Sequence, residues 1–288
     1  IMGHEAAGDI VAVGAQVISW RAGDRVTFDS TVYCGACAYC RQGRVNLCDK
    51  RMVLGVSCED YRRHGAFAEY VAVPQHILYR LPDAASFEQA AMVEALSVAV
   101  HAMARTPVKL SDTAVVIGAG MIGLLVVQAA RAAGCGTIIA VDVDQDRLDR
   151  ACTLGADLGV NATVGDTVAR LTELTHGRGA DIAFEVVGLP ATLQTAFDSV
   201  RKGGSITLIG NVTPRAEMPL QAMVTRELSL FCSCASSGEY PACLDLIARG
   251  QVNVDALVSA VAPLAEGNAW FQRLQAHEPG LMKVILTP

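Results

Sequence analysis

Hydrophobic and polar positions change rhythm along the chain. Up to about residue 96, short apolar runs are separated by turn residues, and the pattern predicts strands at 9–13, 24–28 and 67–73. A β-rich first part is therefore expected.

From about residue 111, longer apolar runs alternate with stretches of helical periodicity. Strands are predicted at 114–117, 137–141, 182–187 and 205–209, with helices at 124–133 and 145–153. This alternation predicts a doubly wound α/β domain with a parallel sheet. A short mixed tail follows, with a predicted helix at 241–249 and an apolar strand at 282–286.

Composition narrows the function classes. Apolar residues make up 52% of the 288 residues and charged residues 18%, which excludes a chain held open by charge. The net charge of -6, with both signs interleaved, gives no basic surface for nucleic acid. The longest apolar run, at 114–127, is short of the roughly 18–20 residues that span a bilayer. A small-molecule partner is expected, and the ten cysteines, without a secreted disulfide pattern, indicate a reducing, cytoplasmic compartment.

A G-x-G-x-x-G pattern follows the predicted strand 114–117 and opens a helix, with glycines at Gly118, Gly120 and Gly123. Such glycines permit a tight turn, close approach of a pyrophosphate and close helix packing. Asp142 ends the next strand, where a carboxylate binds the ribose 2′-hydroxyl of NAD, and Arg147 can flank the adenosine end. The alternatives are a purely structural turn with Asp142 as a helix N-cap, and a solvated Arg147.

Four cysteines lie within 15 residues, at Cys34, Cys37, Cys40 and Cys48. Four thiolates at this spacing predict a closed, structural zinc site. An iron–sulfur cluster and ordinary or redox-active thiols are the alternatives. The other six cysteines are predicted to be small packing residues: Cys58, Cys135, Cys152, Cys232, Cys234 and Cys243.

His4 and Glu5 place an imidazole and a carboxylate side by side, and Glu94 interrupts an apolar run. A buried carboxylate needs a partner, and a metal ion would provide one. Taken alone, His4 is equally consistent with a surface histidine and Glu94 with an acid in the first turn of a helix.

Together these residues resemble the zinc-containing medium-chain dehydrogenase/reductase family, in its polyol (sorbitol-like) and threonine dehydrogenase branch. The resemblance covers nearly the whole chain. Besides the glycine turn and the four-cysteine lobe, the landmarks are the sequences at 3–5, 23–26, 65–71, 94–101, 203–204 and 208–210.

The resemblance implies a GroES-like catalytic domain at 1–97 with a structural zinc lobe at 33–49, a Rossmann NAD-binding domain at 98–235, and a return to the catalytic domain at 236–288. It also implies one structural and one catalytic zinc. His4 and Glu94 would be ligands of the catalytic zinc, and Glu5 a ligand or an exchange partner. Cofactor contacts are implied for Ile122, Asp142, Arg147, Ile209 and Gly210.

The implied activity is hydride transfer between a secondary alcohol and NAD, with an alcohol or ketone as the small-molecule substrate, by a homodimer or homotetramer. The chain departs from the family in two places. It lacks the N-terminal part that carries a cysteine zinc ligand, so an N-terminally truncated, incomplete GroES-like domain is expected. Residues 234–236 lack the arginine that polyol dehydrogenases place near the substrate. A zinc-independent quinone or enoyl reductase and a non-catalytic NAD-binding protein are the alternatives.

Overall fold

The computed structural model describes residues 1–56 and 62–288; Cys58 therefore lies outside the described residues. The chain divides into two compact units. One comprises Ile1–Ser97 with Ala235–Pro288, and the other comprises Val98–Cys234.

The first unit begins with short strands and helices. The strands are β1 (Ala7–Asp9), β2 (Arg25–Phe28), β3 (Thr31–Val32), β4 (Met52–Leu54), β5 (Arg62–Arg63) and β6 (Leu78–Arg80). The helices are α1 (Ala38–Arg41), α2 (Phe87–Ala91) and α3 (Val93–Arg105), the last of which contains the boundary between the units. The strands form the sheets β1-β2-β6 and β3-β4-β5 over a small core of Phe28, Val32, Leu54 and Ile77.

The second unit alternates strands and helices. Its elements are β7 (Thr113–Ile117), α4 (Met121–Ala132), β8 (Thr137–Asp142), α5 (Gln145–Thr153), β9 (Leu158–Asn161), α6 (Thr167–Leu174), β10 (Ala180–Glu185), α7 (Pro190–Ser199), β11 (Val200–Leu208), α8 (Leu220–Thr225) and β12 (Ser229–Cys232). The chain then returns to the first unit with α9 (Tyr240–Ala248), β13 (Val258–Pro263), α10 (Gly267–Gln275) and β14 (Lys283–Thr287).

Within residues 98–234, all of which are described, the sheet order is β12-β11-β10-β7-β8-β9 with parallel pairing throughout. From β7, the first strand of the unit, the chain adds β8 and β9 on one side of the sheet and then β10, β11 and β12 on the other side. This is the strand order of a doubly wound dinucleotide-binding fold. The predicted fold class is confirmed for this unit. The central strands are buried over most of their length, as at Val115, Ile139 and Ile206, which is typical of a parallel sheet that is covered on both faces.

Two predicted strands are wrong. The strand at 9–13 ends at Asp9, and Val11 and Val13 beyond it are exposed. Residues 67–73 contain no strand. At the start of this segment the backbone bonds to the first residues instead, and the Phe67 N–H donates to the Met2 carbonyl at 2.9 Å. Apolar alternation alone does not identify the partner that a strand needs.

The cysteine prediction is partly confirmed. Cys135 and Cys243 are buried, whereas Cys152, Cys232 and Cys234 are exposed and do not act as packing residues. Among the described residues, no helix is both long and apolar enough to cross a bilayer.

Candidate metal and cofactor sites

His4 follows a glycine that is enclosed by backbone. Gly3 has φ of +97°, and Cβ atoms built on Gly55 and Gly65 would lie 2.0 and 2.2 Å from its carbonyl oxygen. That oxygen accepts a hydrogen bond from the Ala66 N–H at 2.8 Å. Side chains at Gly55 and Gly65 would push the segments that carry them away from Gly3. The glycines therefore fix the position of the backbone at His4.

His4, Glu5 and Glu94 come together. The His4 Nε2 atom lies 3.8 Å from Glu5 Oε1 and 3.9 Å from Glu94 Oε2. One ligand atom from each of the three residues lies within 4.8 Å of the others, close enough to share an ion. Glu94 also lies in the first turn of α3, so the two interpretations offered for it are compatible.

Burial controls the charge of these groups. It raises the pKa of Glu94 to about 7, with the Asp29 carboxylate adding to the effect. Burial and the Lys283 ammonium lower the pKa of His4, so its imidazole is neutral at pH 7. A neutral imidazole and a buried carboxylate that lacks compensation are the donors that a divalent cation would satisfy.

Three buried or half-buried residues near this cluster carry no signal in the sequence. The Lys283 ammonium donates to Glu5 Oε2. Asp29 is buried, accepts hydrogen bonds from the Thr31 N–H at 2.8 Å and the Ser236 hydroxyl at 3.3 Å, and has its pKa raised by burial. The Tyr240 hydroxyl is buried without a hydrogen-bond partner among the described residues. No motif marks them, because they lie far apart in the sequence.

The four cysteines of the 33–49 lobe also converge, with all four Sγ atoms within 4.8 Å of one another. The Sγ atoms of Cys37 and Cys40 are 3.4 Å apart, and those of Cys34 and Cys40 are 4.0 Å apart. Zn–S bonds of about 2.3 Å in a tetrahedron put sulfurs about 3.8 Å apart. The spacing fits a four-thiolate zinc ion, and the four cysteines are free thiols.

Backbone N–H groups point at these sulfurs. Cys34 Sγ accepts from Ala36 and Cys37, and these bonds lower its pKa to about 6. Cys37 is the N-cap of α1, and the Cys40 N–H lowers its pKa in the same way. Burial raises the pKa of Cys40 to about 12, which a bound cation would reverse. The lobe is thus prepared to hold thiolates.

The glycine turn has the geometry that its sequence predicts. Gly118 has φ of +99°, and a Cβ on Gly123 would lie 1.8 Å from the Gly118 carbonyl oxygen. A Cβ on Gly120 would meet no protein atom within 4 Å. The turn is therefore tight on the helix side and open at Gly120, the N-cap of α4, where the pyrophosphate of a dinucleotide fits. Ile122 lies in the first turn of this helix.

Asp142 joins the end of β8 to this turn. Its Oδ2 accepts the Ala119 N–H at 2.6 Å, and its Oδ1 accepts the N–H groups of Val143 and Asp144. The N-cap of α5 is Asp144, so the alternative interpretation of Asp142 as the N-cap is wrong. Arg147 is exposed, with Nη1 3.9 Å from Asp142 Oδ1 and Nε 3.7 Å from Asp144 Oδ2.

Ile209 and Gly210 follow β11, and their N–H groups donate to the Glu185 carbonyl oxygen at 2.8 and 3.1 Å. A Cβ on Gly210 would lie 2.3 Å from the carbonyl carbon of Val187, so two loops at the ends of neighbouring strands pack backbone against backbone. The carboxyl ends of such strands line the ligand crevice in doubly wound folds.

Comparison with known proteins identifies the family. The alcohol dehydrogenase GroES-like domain matches residues 1–83, and the zinc-binding dehydrogenase domain matches residues 122–249. Sorbitol dehydrogenase of Bacillus subtilis (strain 168) is 35% identical over 290 residues, covering 100% of this chain and 81% of that protein. The chain belongs to the zinc-binding alcohol dehydrogenase family. The predicted family, the GroES-like and Rossmann fold classes and the oxidoreductase class of this zinc-binding dehydrogenase are confirmed.

Two solved structures that resemble this zinc-binding dehydrogenase over 100% of its length contain a nicotinamide cofactor. A zinc-binding dehydrogenase from Sinorhizobium meliloti 1021 bound to NADP has a TM-score of 0.90 and 29% identity, with 83% of its chain covered. A short chain alcohol dehydrogenase from Escherichia coli CFT073 complexed with NADH has a TM-score of 0.92 and 28% identity, also with 83% covered.

Proposed function

We propose that the chain is a zinc-dependent dehydrogenase that transfers hydride between a secondary alcohol of the sugar-alcohol type and NAD. The convergence of His4, Glu5 and Glu94 within 4.8 Å carries the proposal. The similarity to sorbitol dehydrogenase supports the substrate class. In this proposal, residues 1–97 and 236–288 form the catalytic domain and residues 98–235 bind the dinucleotide.

His4, Glu5 and Glu94 would hold a catalytic zinc, and Cys34, Cys37, Cys40 and Cys48 a structural zinc. When bound, the catalytic ion supplies Lewis-acid polarisation of an alcohol oxygen, and the nicotinamide supplies a hydride acceptor. The protein itself contributes a neutral imidazole at His4 and a largely buried carboxylate at Glu94.

The preference for NAD over NADP follows from Asp142. Its carboxylate is held at the glycine turn by three backbone N–H groups, and a 2′-phosphate there would meet negative charge. Arg147 does not provide a free cation, since Asp142 and Asp144 both lie within 4 Å of its guanidinium.

Residues 234–236 support a substrate that differs in detail from sorbitol. Ala235 adopts a positive φ of 52°, and the Ser236 hydroxyl is directed at Asp29. Neither residue offers the guanidinium found in polyol dehydrogenases. A different secondary alcohol, a sugar alcohol phosphate or an amino alcohol fits this segment equally well. A cytoplasmic homodimer or homotetramer is part of the same proposal and rests on the resemblance and on the reduced cysteines.

Zinc content tests the metal assignment. In the protein reconstituted with excess zinc and desalted, elemental analysis should find two ions per chain. His4→Ala should lose one ion and Cys37→Ser the other, because each variant removes a ligand from a different cluster. Loss of both ions in His4→Ala, or retention of both, would contradict separate sites. One ion in the unsubstituted protein would favour a zinc-independent reductase or a binding protein.

Cofactor preference is tested by titrating NADH and NADPH against nucleotide fluorescence. Asp142→Asn should improve NADPH affinity relative to NADH by roughly tenfold or more, because it removes the opposing charge. Asp144→Asn, one position beyond Val143, is the matched control and should change the ratio much less. Equal ratios in the two variants would sink the role assigned to Asp142.

A further inference from the structure

Lys283 reaches the candidate catalytic metal cluster from the last strand of the chain. It lies on β14, where it is the register partner of Val258 on β13, and its Nζ donates to Glu5 Oε2. Both side chains are largely buried, with exposed fractions of 20% for Lys283 and 15% for Glu5. Burying an ammonium group beside candidate metal ligands is costly unless a hydrogen-bonded carboxylate compensates its charge.

The two carboxylate oxygens of Glu5 have different neighbours. Oε2 accepts from the Lys283 ammonium, while Oε1 lies 3.8 Å from His4 Nε2. Glu94 presents its Oε2 to the same imidazole at 3.9 Å. An ion among these donors would therefore meet a single oxygen of Glu5, with the other oxygen retained by Lys283.

The contact also sets the charge of the cluster. Around a bound cation, with both carboxylates ionised and the imidazole neutral, the carboxylates and the ammonium sum to one negative charge. A divalent cation would turn this into one positive charge. Without the ammonium, the same ion would leave the cluster neutral.

We propose that Lys283 is a positioning residue of the catalytic metal site that weakens zinc binding by occupying one oxygen of Glu5 and adding a positive charge. This inference rests on the proposed function. The retained positive charge stabilises negative charge that develops on a substrate oxygen. Lys283 would thus lower zinc affinity and at the same time stabilise that oxygen.

Zinc affinity at pH 7 tests the inference without a substrate. The probe is zinc alone, competed against a chromogenic chelator, and the four-cysteine site serves as an internal reference. Lys283→Met and Lys283→Gln should bind the second zinc at least roughly tenfold more tightly, because a unit charge a few ångströms from a divalent ion is only partly screened. Lys283→Arg should restore the original affinity. Lys109→Met, which removes an exposed cation from the other unit, should leave affinity unchanged.

The outcomes separate the two proposals. If the unsubstituted protein binds no second zinc, both the proposed function and the role of Lys283 are overturned. If it binds two, and Lys283→Met and Lys283→Gln bind the second ion with unchanged or weaker affinity, only the inference about Lys283 fails. Weaker binding is what a merely structural role would give, since loss of an orienting partner reduces metal affinity.

Discussion

Glu94 is a buried acid whose charge should destabilise the metal-free protein. Its pKa is raised from 4.5 to about 7, chiefly by burial. At about 1.4 kcal/mol for each tenfold change in proton affinity, this corresponds to about 3 kcal/mol. The folded state binds the proton more tightly than the unfolded state, so this stability is present below pH 4.5 and is lost as pH rises through about 7. Glu94→Gln cannot ionise and should keep it.

Urea unfolding with EDTA present measures the effect between pH 4 and 8. The free energies of unfolding of the two proteins should agree near pH 4, with Glu94→Gln the more stable by about 3 kcal/mol at pH 8. The exposed Glu69→Gln is the control for loss of one negative charge. Added zinc at pH 8 should stabilise the unsubstituted protein more than the variant. If the difference in unfolding free energy between the two proteins stayed constant from pH 4 to 8, the reasoning would be refuted.

Four further substitutions have definite expected outcomes. Gly123→Ala places a methyl group 1.8 Å from the Gly118 carbonyl oxygen and should destabilise the chain by about 3 kcal/mol in urea unfolding; Gly120→Ala, which meets no protein atom, should keep stability but lose NADH binding by fluorescence. Tyr240→Phe removes a buried hydroxyl that lacks a partner among the described residues and should raise the unfolding free energy by about 1 kcal/mol, so a loss would reveal a hidden partner. Asp181→Asn should cost about 1–2 kcal/mol at pH 7, because two arginines lose their shared carboxylate, and this difference should shrink as pH falls below 3.8; a pH-independent difference would contradict the role of the charge.

The second unit was largely predictable because its signals are local. A strand, three glycines and a helix occupy 113–132, and each element follows from its neighbours in sequence. Helix α5 occupies its predicted residues, since Asp144 caps it and the apolar period is clear. The strands of the first unit were harder. Residues 67–73 have a strand-like pattern, but the hydrogen bonds at this place run from residues 65–67 to residues 1–3, far away in sequence.

The candidate metal cluster was predictable in part. His4, Glu5 and Glu94 stand out as polar residues in glycine-rich or apolar surroundings. Lys283 sits in an ordinary apolar strand, where an alternating lysine usually faces water. Only the pairing of β13 with β14 brings it to Glu5, and a sequence pattern contains no record of such pairing.

The division of the chain also sets the order in which its two units can fold during synthesis. Residues 98–234 form an uninterrupted unit, whereas the first unit needs residues 1–97 and 235–288 together. The contact between Glu5 and Lys283 joins residues 278 positions apart, and the Ser237 hydroxyl joins the four-cysteine lobe at Gly43 across 194 positions. On the ribosome the second unit can complete its core first, whereas the first unit cannot complete its fold until β14 has been synthesised. The four-cysteine site of the proposed function could therefore take up zinc before Lys283 has been synthesised and has reached Glu5 beside His4.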